Sequence, residues 1–163
     1  MRSQNCFRIV IPTLIVALLL SMWPLPVWLE YARPEWMVLV IIYWALAMPE
    51  QIGVTVAWVV GLLLDVTQGA ILGQHAVGLV LVIFIINTQY QRIRVFSLAQ
   101  QALVVLLLLL IKQVLVLWVS GIVGQAPDIG LYFLPALTGA IIWPWLFIVL
   151  RDLRRRFTIS RSF

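Results

Sequence analysis

Apolar residues in this chain fall in long unbroken blocks separated by short polar punctuation, and such blocks predict helices that cross a bilayer. The first block opens at Ile9 and extends toward Trp28; Glu30, Arg33, Pro34 and Glu35 then make a polar turn. A shorter block follows at 36–48, bracketed by Pro34 and Pro49, and the Pro49-Glu50 turn leads to another at 51–65. Blocks at 73–88, 98–119 and 131–150 complete the series, with Pro127 and Asp128 in the loop before the last. The expected architecture is all-α: an integral membrane protein whose residues 1–163 form one polytopic domain, a single bundle of about six transmembrane helices.

The two short blocks complicate the count. At 1.5 Å per residue, a block such as 36–48 reaches only about 20 Å, short of a hydrocarbon core of roughly 30 Å. Two readings stay open: the pair crosses as a thin hairpin, or it dips in and returns. Both leave an even number of crossings, so both chain ends lie on one side.

Charge then orients the bundle. The chain carries +5, which in a soluble protein would suggest nucleic acid. Here Arg2 and Arg8 precede the first block, Arg92 and Arg94 separate two later ones, and Arg151, Arg154, Arg155, Arg156 and Arg161 follow the last. That distribution is the positive-inside pattern, with both termini cytoplasmic and no nucleic-acid partner implied. Trp23, Trp28, Trp36 and Trp118 fall near the opposite face, as an interfacial aromatic belt would. The Trp23-Pro24-Leu25-Pro26 run has no small-residue cleavage site, so the first block reads as an uncleaved span. Cys6, the only cysteine, reads as a reduced cytoplasmic thiol. The basic tail also suits anionic lipid headgroups.

With 64% hydrophobic and 10% charged residues, a carboxylate inside a block needs a reason to be there. Asp65 is such a group, and His75, the only histidine, lies ten residues on in a run carrying Gly61, Gly69 and Gly73. Gly61 shares a helix face with Asp65 and admits a neighbouring backbone. The run reads as a helix end near Asp65, a glycine-shaped turn through Gly69 and Gly73, and a histidine hydrogen-bonding that turn. A proton relay or metal site is the sharper alternative, but one carboxylate and one imidazole are too few ligands for a dedicated metal site. Lys112 is the other charge within a block. A direct Asp65–Lys112 pair would relieve both desolvation costs; separate hydration or a partner subunit would do so as well.

No nucleophile–base set, paired catalytic carboxylates or phosphate-binding loop stands out, so no enzyme activity and no cofactor are expected. Glu30 and Glu35 bracket Arg33 and read as solvating it. Trp143-Pro144-Trp145 puts two tryptophans beside a proline kink, where they line a cavity, offer a partner surface, or simply face lipid.

Several runs occur in order with short spacings: Arg33-Pro34-Glu35-Trp36, Tyr43-Trp44-Ala45-Leu46-Ala47-Met48-Pro49, and Gly61…Asp65…Gly69…Leu72-Gly73…His75. With Gln100-Gln101-Ala102-Leu103 and the Trp143-Pro144-Trp145 ending, they resemble the bacterial rod shape-determining MreD family from about residue 8 to 157. The resemblance implies a non-enzymatic inner-membrane scaffold of the cell-elongation machinery, supporting side-wall peptidoglycan synthesis and cell shape. It implies MreC as direct partner, with MreB, RodA and the elongation transpeptidase in the same assembly. It also implies a six-helix fold similar to the substrate-binding components of energy-coupling-factor transporters. Lys112 has no place in the family's pattern. A solute-binding component of a vitamin-type transporter is the rival reading, and a lipid-linked precursor pocket between helices is a third.

Overall fold

The computed structural model describes residues 2–125 and 127–159, with side chains described for 7–125 and 127–157. The side chains of Arg2 and Cys6, and all of Arg161, lie outside the described residues. Every regular element among the described residues is helical: α1 Arg2–Met22, α2 Val27–Glu30, α3 Trp36–Ala47, α4 Val54–Gln68, α5 Gln74–Val95, α6 Leu98–Ile122, α7 Ile129–Tyr132 and α8 Leu134–Ile159. Three stretches are long and apolar enough to cross a membrane: Gln74–Val95, Leu98–Ile122 and Ile129–Phe157. Phe7–Met22, Trp36–Ala47 and Val54–Gln68 are shorter apolar helices.

The helix limits follow local chemistry. The first block, expected to run toward Trp28, stops as a helix at Met22, because Pro24 and Pro26 cannot continue an i→i−4 ladder. α4 starts and ends three residues later than the 51–65 block, and Gly69 closes it in the left-handed conformation, φ 63°. α5 runs past the end of its apolar block through Gln89–Arg94, a polar stretch that keeps helical geometry outside the greasy core. Ser97 and Gln100 start α6 with a reciprocal capping box. Pro144 lies inside α8, which nevertheless continues to Ile159.

The short block at 36–48 becomes the middle of the molecule. Every residue of α3 from Met37 to Leu46 is buried, with α1, α5 and α8 packed around it. A helix that is apolar all round belongs in a core, and α3 has no polar stripe to present elsewhere. Its 12 residues span about 18 Å, whereas the 22, 25 and 26 residues of α5, α6 and α8 reach roughly 33–39 Å. A short pole inside longer staves leaves a recess at each end. Both recesses exist, and both are polar.

Around this core, α4 packs on α5, and α6 lies between α5 and α8. Gly61 of α4 allows a close α4–α5 approach: a Cβ there would land on the Ala76 backbone. Apolar residues such as Leu19, Val59, Phe84, Leu107 and Ile141 cover the outside, a surface suited to lipid.

Candidate functional site: a polar recess at the start of α3

The recess at the start of α3 has a volume of about 360 Å³, and its lining includes Glu30, Arg33, Glu35, His75, Lys112 and Tyr132. It forms where the ends of α1, α4 and α6 meet the beginnings of α3, α5 and α8. This is the end of the bundle opposite Arg94 and Arg151.

A helix end in a water-poor setting must have its free N–H and C=O groups satisfied by something. Arg33 serves α1. Its guanidinium donates to the carbonyls of Ser21 (2.6 Å) and Trp23 (2.7 Å), so a positive charge lies at the negative end of that helix.

Asp65 serves α5. Chain reversal through Gly69 and Gly73, both at positive φ, brings the start of α5 back over the end of α4. The Asp65 carboxylate, fully buried, then accepts from the Gly73 N–H (2.8 Å) and the His75 N–H (2.7 Å). His75 Nδ1 lies 2.9 Å from the same carboxylate. One side chain thus closes the first turn of the next helix, at the end where a negative charge is favoured. The expected helix end and glycine turn are present, but His75 bonds Asp65, not the turn.

Glu35 is the N-cap residue of α3, but its side chain makes no capping bond there; its carboxylate pairs directly with Lys112 of α6. Gln113 Nε2 adds a longer bond to Glu35 Oε1 (3.4 Å). Lys112 is almost wholly buried, and its stem lies over Gly78 of α5, where a Cβ would come within 2.8 Å of its Cγ. The lysine is admitted because α5 has no side chain at that point. Gln74 reaches from α5 to the Val116 carbonyl and Ser120 Oγ, and the Tyr132 hydroxyl donates to the Gln113 carbonyl (3.2 Å).

Two sequence readings are therefore corrected. Asp65 and Lys112 do not pair: Asp65 is occupied by the first turn of α5, and Lys112 finds the carboxylate at its own depth, Glu35. Nor does Glu35 solvate Arg33, which points back to α1. Glu35 was read from the sequence only as solvating Arg33, and Gly78, Gln74 and Gln113 were not singled out. The usable signal was a lone carboxylate immediately before a block with no polar residue.

The structure gathers Arg33, Asp65, Gly69, Gly73, His75 and Lys112 at this end, with Gly61 one turn down α4 from Asp65. Trp36 is partly buried and lines a lateral apolar groove between α1 and α8, together with Trp145. The two tryptophans beside Pro144 face opposite ways: Trp143 is fully buried, and Trp145 is exposed. Among the described residues no group of three His, Cys, Asp or Glu side chains could hold a metal ion.

What the recess does chemically is join helices. Buried Asp65 and half-buried Glu35 both accept from donors on other segments, and Arg33 and Lys112 are committed to partners.

Comparison with known proteins points the same way. Residues 1–153 match the family described as rod shape-determining protein MreD. The chain is 33% identical over 142 residues to the rod shape-determining protein MreD of Haemophilus influenzae, covering 87% of this chain and 88% of the relative. No solved structure matches it. The solute-binding transporter reading gains no support from these matches. A helical membrane chain with this ordered motif set, aligned over nearly its full length, belongs to the MreD family of rod shape-determining proteins.

Proposed function

We propose that the protein is a non-enzymatic scaffold subunit of the elongation complex in the bacterial inner membrane, supporting side-wall peptidoglycan synthesis by binding MreC. In this reading six helices cross the bilayer, both termini are cytoplasmic, and the fold is similar to the substrate-binding components of energy-coupling-factor transporters. MreB, RodA and the elongation transpeptidase belong to the same assembly.

The observation that carries the reading is the engagement of the charged groups. Arg33, Glu35, Asp65 and Lys112 are all held by helix ends or by one another, so they shape a surface instead of presenting a reactive group. A polar-rimmed recess at the periplasmic end suits a partner that emerges there, and the small residues and the proline-bearing α8 suit helix packing. Arg33, Trp36, Gly61, Asp65, Gly69, Gly73 and His75 shape that end, and Lys112 braces it from α6. Trp145 offers a further contact on the lateral face.

Crosslinking in the native membrane followed by identification of the co-purified proteins tests the proposal. Recovery of MreC with cell-wall synthesis enzymes is expected, and it should fall in an Asp65→Ala variant expressed at the parent level. Undiminished MreC recovery from that variant would overturn the assignment of this end as the contact. Recovery of nucleotide-hydrolysing transporter subunits without wall enzymes would overturn the scaffold itself.

A further inference from the structure

The second recess, at the C-terminal end of α3, has a volume of about 390 Å³ and is lined by Tyr43, Arg94, Gln101, Arg151 and Arg154 with three apolar neighbours. Three guanidinium groups meet there, and no carboxylate is among the lining residues. The lining of the recess at the other end, by contrast, includes the carboxylates Glu30 and Glu35.

Arg94 is accounted for: it donates to the Leu46 and Ala47 carbonyls and so closes α3. The half charge of a helix end offsets only part of one guanidinium. Arg151 has no such duty. Its Nε is buried without a hydrogen-bond acceptor among the described residues, and the nearest carboxylate oxygen, on exposed Asp152, is 3.6 Å away, beyond hydrogen-bond reach. Gln101 is also buried, and its amide nitrogen is fixed by the Ile93 and Phe96 carbonyls. That leaves Gln101 Oε1 without a donor. The recess thus joins a cluster of guanidinium groups, Arg151 with Asp152 3.6 Å from its Nε, to an unfilled polar wall.

We infer that this recess is a binding site for a phosphate ester. Its depth favours that ligand. Arg92, Arg94 and Arg151–Arg156 mark where the apolar blocks end, which is the level of lipid phosphates. Basic pockets between helices at that level take phospholipid headgroups. Planar guanidinium forks match phosphate oxygens, and phosphate presents more acceptors than a carboxylate. The volume accommodates a phosphate with a small polar substituent, and a hydroxyl on that substituent would supply the donor that the Gln101 wall lacks. The inference is independent of the MreC reading, because it concerns the other end of the bundle.

The test uses the full chain in detergent, with native mass spectrometry during titration by phosphatidylglycerol, by diacylglycerol as the phosphate-free control, and by inorganic phosphate as competitor. Arg151→Gln with Arg154→Gln removes charge from the recess and leaves Arg94 on its helix end. Arg155→Gln with Arg156→Gln removes the same charge from exposed positions nearby. Phosphatidylglycerol should bind, diacylglycerol should not, and the recess pair should weaken binding about thirtyfold, as loss of two arginines at a headgroup predicts. The control pair should change it little. Competition by inorganic phosphate at matching concentration would assign the site to soluble phosphate, and failure to compete would assign it to the headgroup.

Equal weakening by both pairs would overturn the inference in favour of general surface attraction. So would equal binding of diacylglycerol, or displacement only by a phosphate-free acidic peptide. If the glutamine pair does not fold, Arg151→Lys with Arg154→Lys keeps the charge and loses the forks. Its affinity should then fall below that of the control pair, and equality with that pair would again overturn the inference.

Discussion

Glu35, the N-cap of α3, and Lys112, in the body of α6, form an ion pair between positions 77 apart in the chain. The lysine is almost fully buried, and the Glu35 side chain is 21% exposed at the recess. The pair ties the central helix α3 to α6.

Removal of one partner leaves the other unpaired in a poorly solvated place. Lys112→Met should therefore destabilise the protein by about 3–5 kcal/mol. Adding Glu35→Gln should recover most of that loss, because the lone charge disappears. Thermal unfolding in detergent, monitored by circular dichroism, separates the two cases. A double variant no more stable than Lys112→Met would show that the ion pair is not what holds the two helices.

Asp65 makes a different kind of link, closing the next helix through backbone donors. Asp65→Ala strands the Gly73 and His75 N–H groups, at about 1–3 kcal/mol for each buried donor left unsatisfied. The damage should be local at first: amide exchange at the start of α5 should accelerate before the rest of the bundle responds. Uniform exchange across all helices would contradict a capping role.

Part of this was legible in the sequence and part was not. Gly69 and Gly73, both following Asp65, predicted a turn because a left-handed residue is cheapest as glycine, and that signal is local. The long apolar block of α6 needed no partner to be recognised. The place of α3 was harder. A short block with no polar stripe reads equally as a thin crossing or as a segment that dips in and returns, and its burial among α1, α5 and α8 is set by helices far away in the chain. The Lys112 partner was hidden for the same reason. Depth can be judged from sequence, but not which of several helix ends shares it, and the nearest obvious carboxylate was in the wrong segment. Trp143 and Trp145 flank one proline, yet they divide between core and surface according to which neighbours α8 meets.

Gly61 and Gly121 should respond oppositely to alanine. A Cβ on Gly61 collides with the Ala76 backbone, which cannot move without separating α4 from α5. Gly61→Ala should thus cost about 1–3 kcal/mol or more, as overpacking does. Gly121 lies in α6 with nothing within 4 Å of its would-be Cβ. Gly121→Ala should be neutral or gain up to about 1 kcal/mol from helix propensity. Comparing the two melting temperatures tests the packing directly; similar losses in both would contradict the close α4–α5 approach.

Arg94 closes the other end of α3, with Nε 2.6 Å from the Leu46 carbonyl oxygen and a terminal nitrogen 2.8 Å from that of Ala47. Two bonds from one planar group need a guanidinium, because an ammonium on a flexible stem is a point charge without the fork. Arg94→Lys keeps the favourable charge at the helix end but forfeits the paired geometry, so it should lose about 1–2 kcal/mol. Arg94→Gln loses the charge as well and should be the less stable of the two. Because α3 is the core of the bundle, the loss should appear as a lower global melting temperature, and not as local fraying. If lysine matched arginine, the end of α3 would need only positive charge, and the bidentate contact would be dispensable.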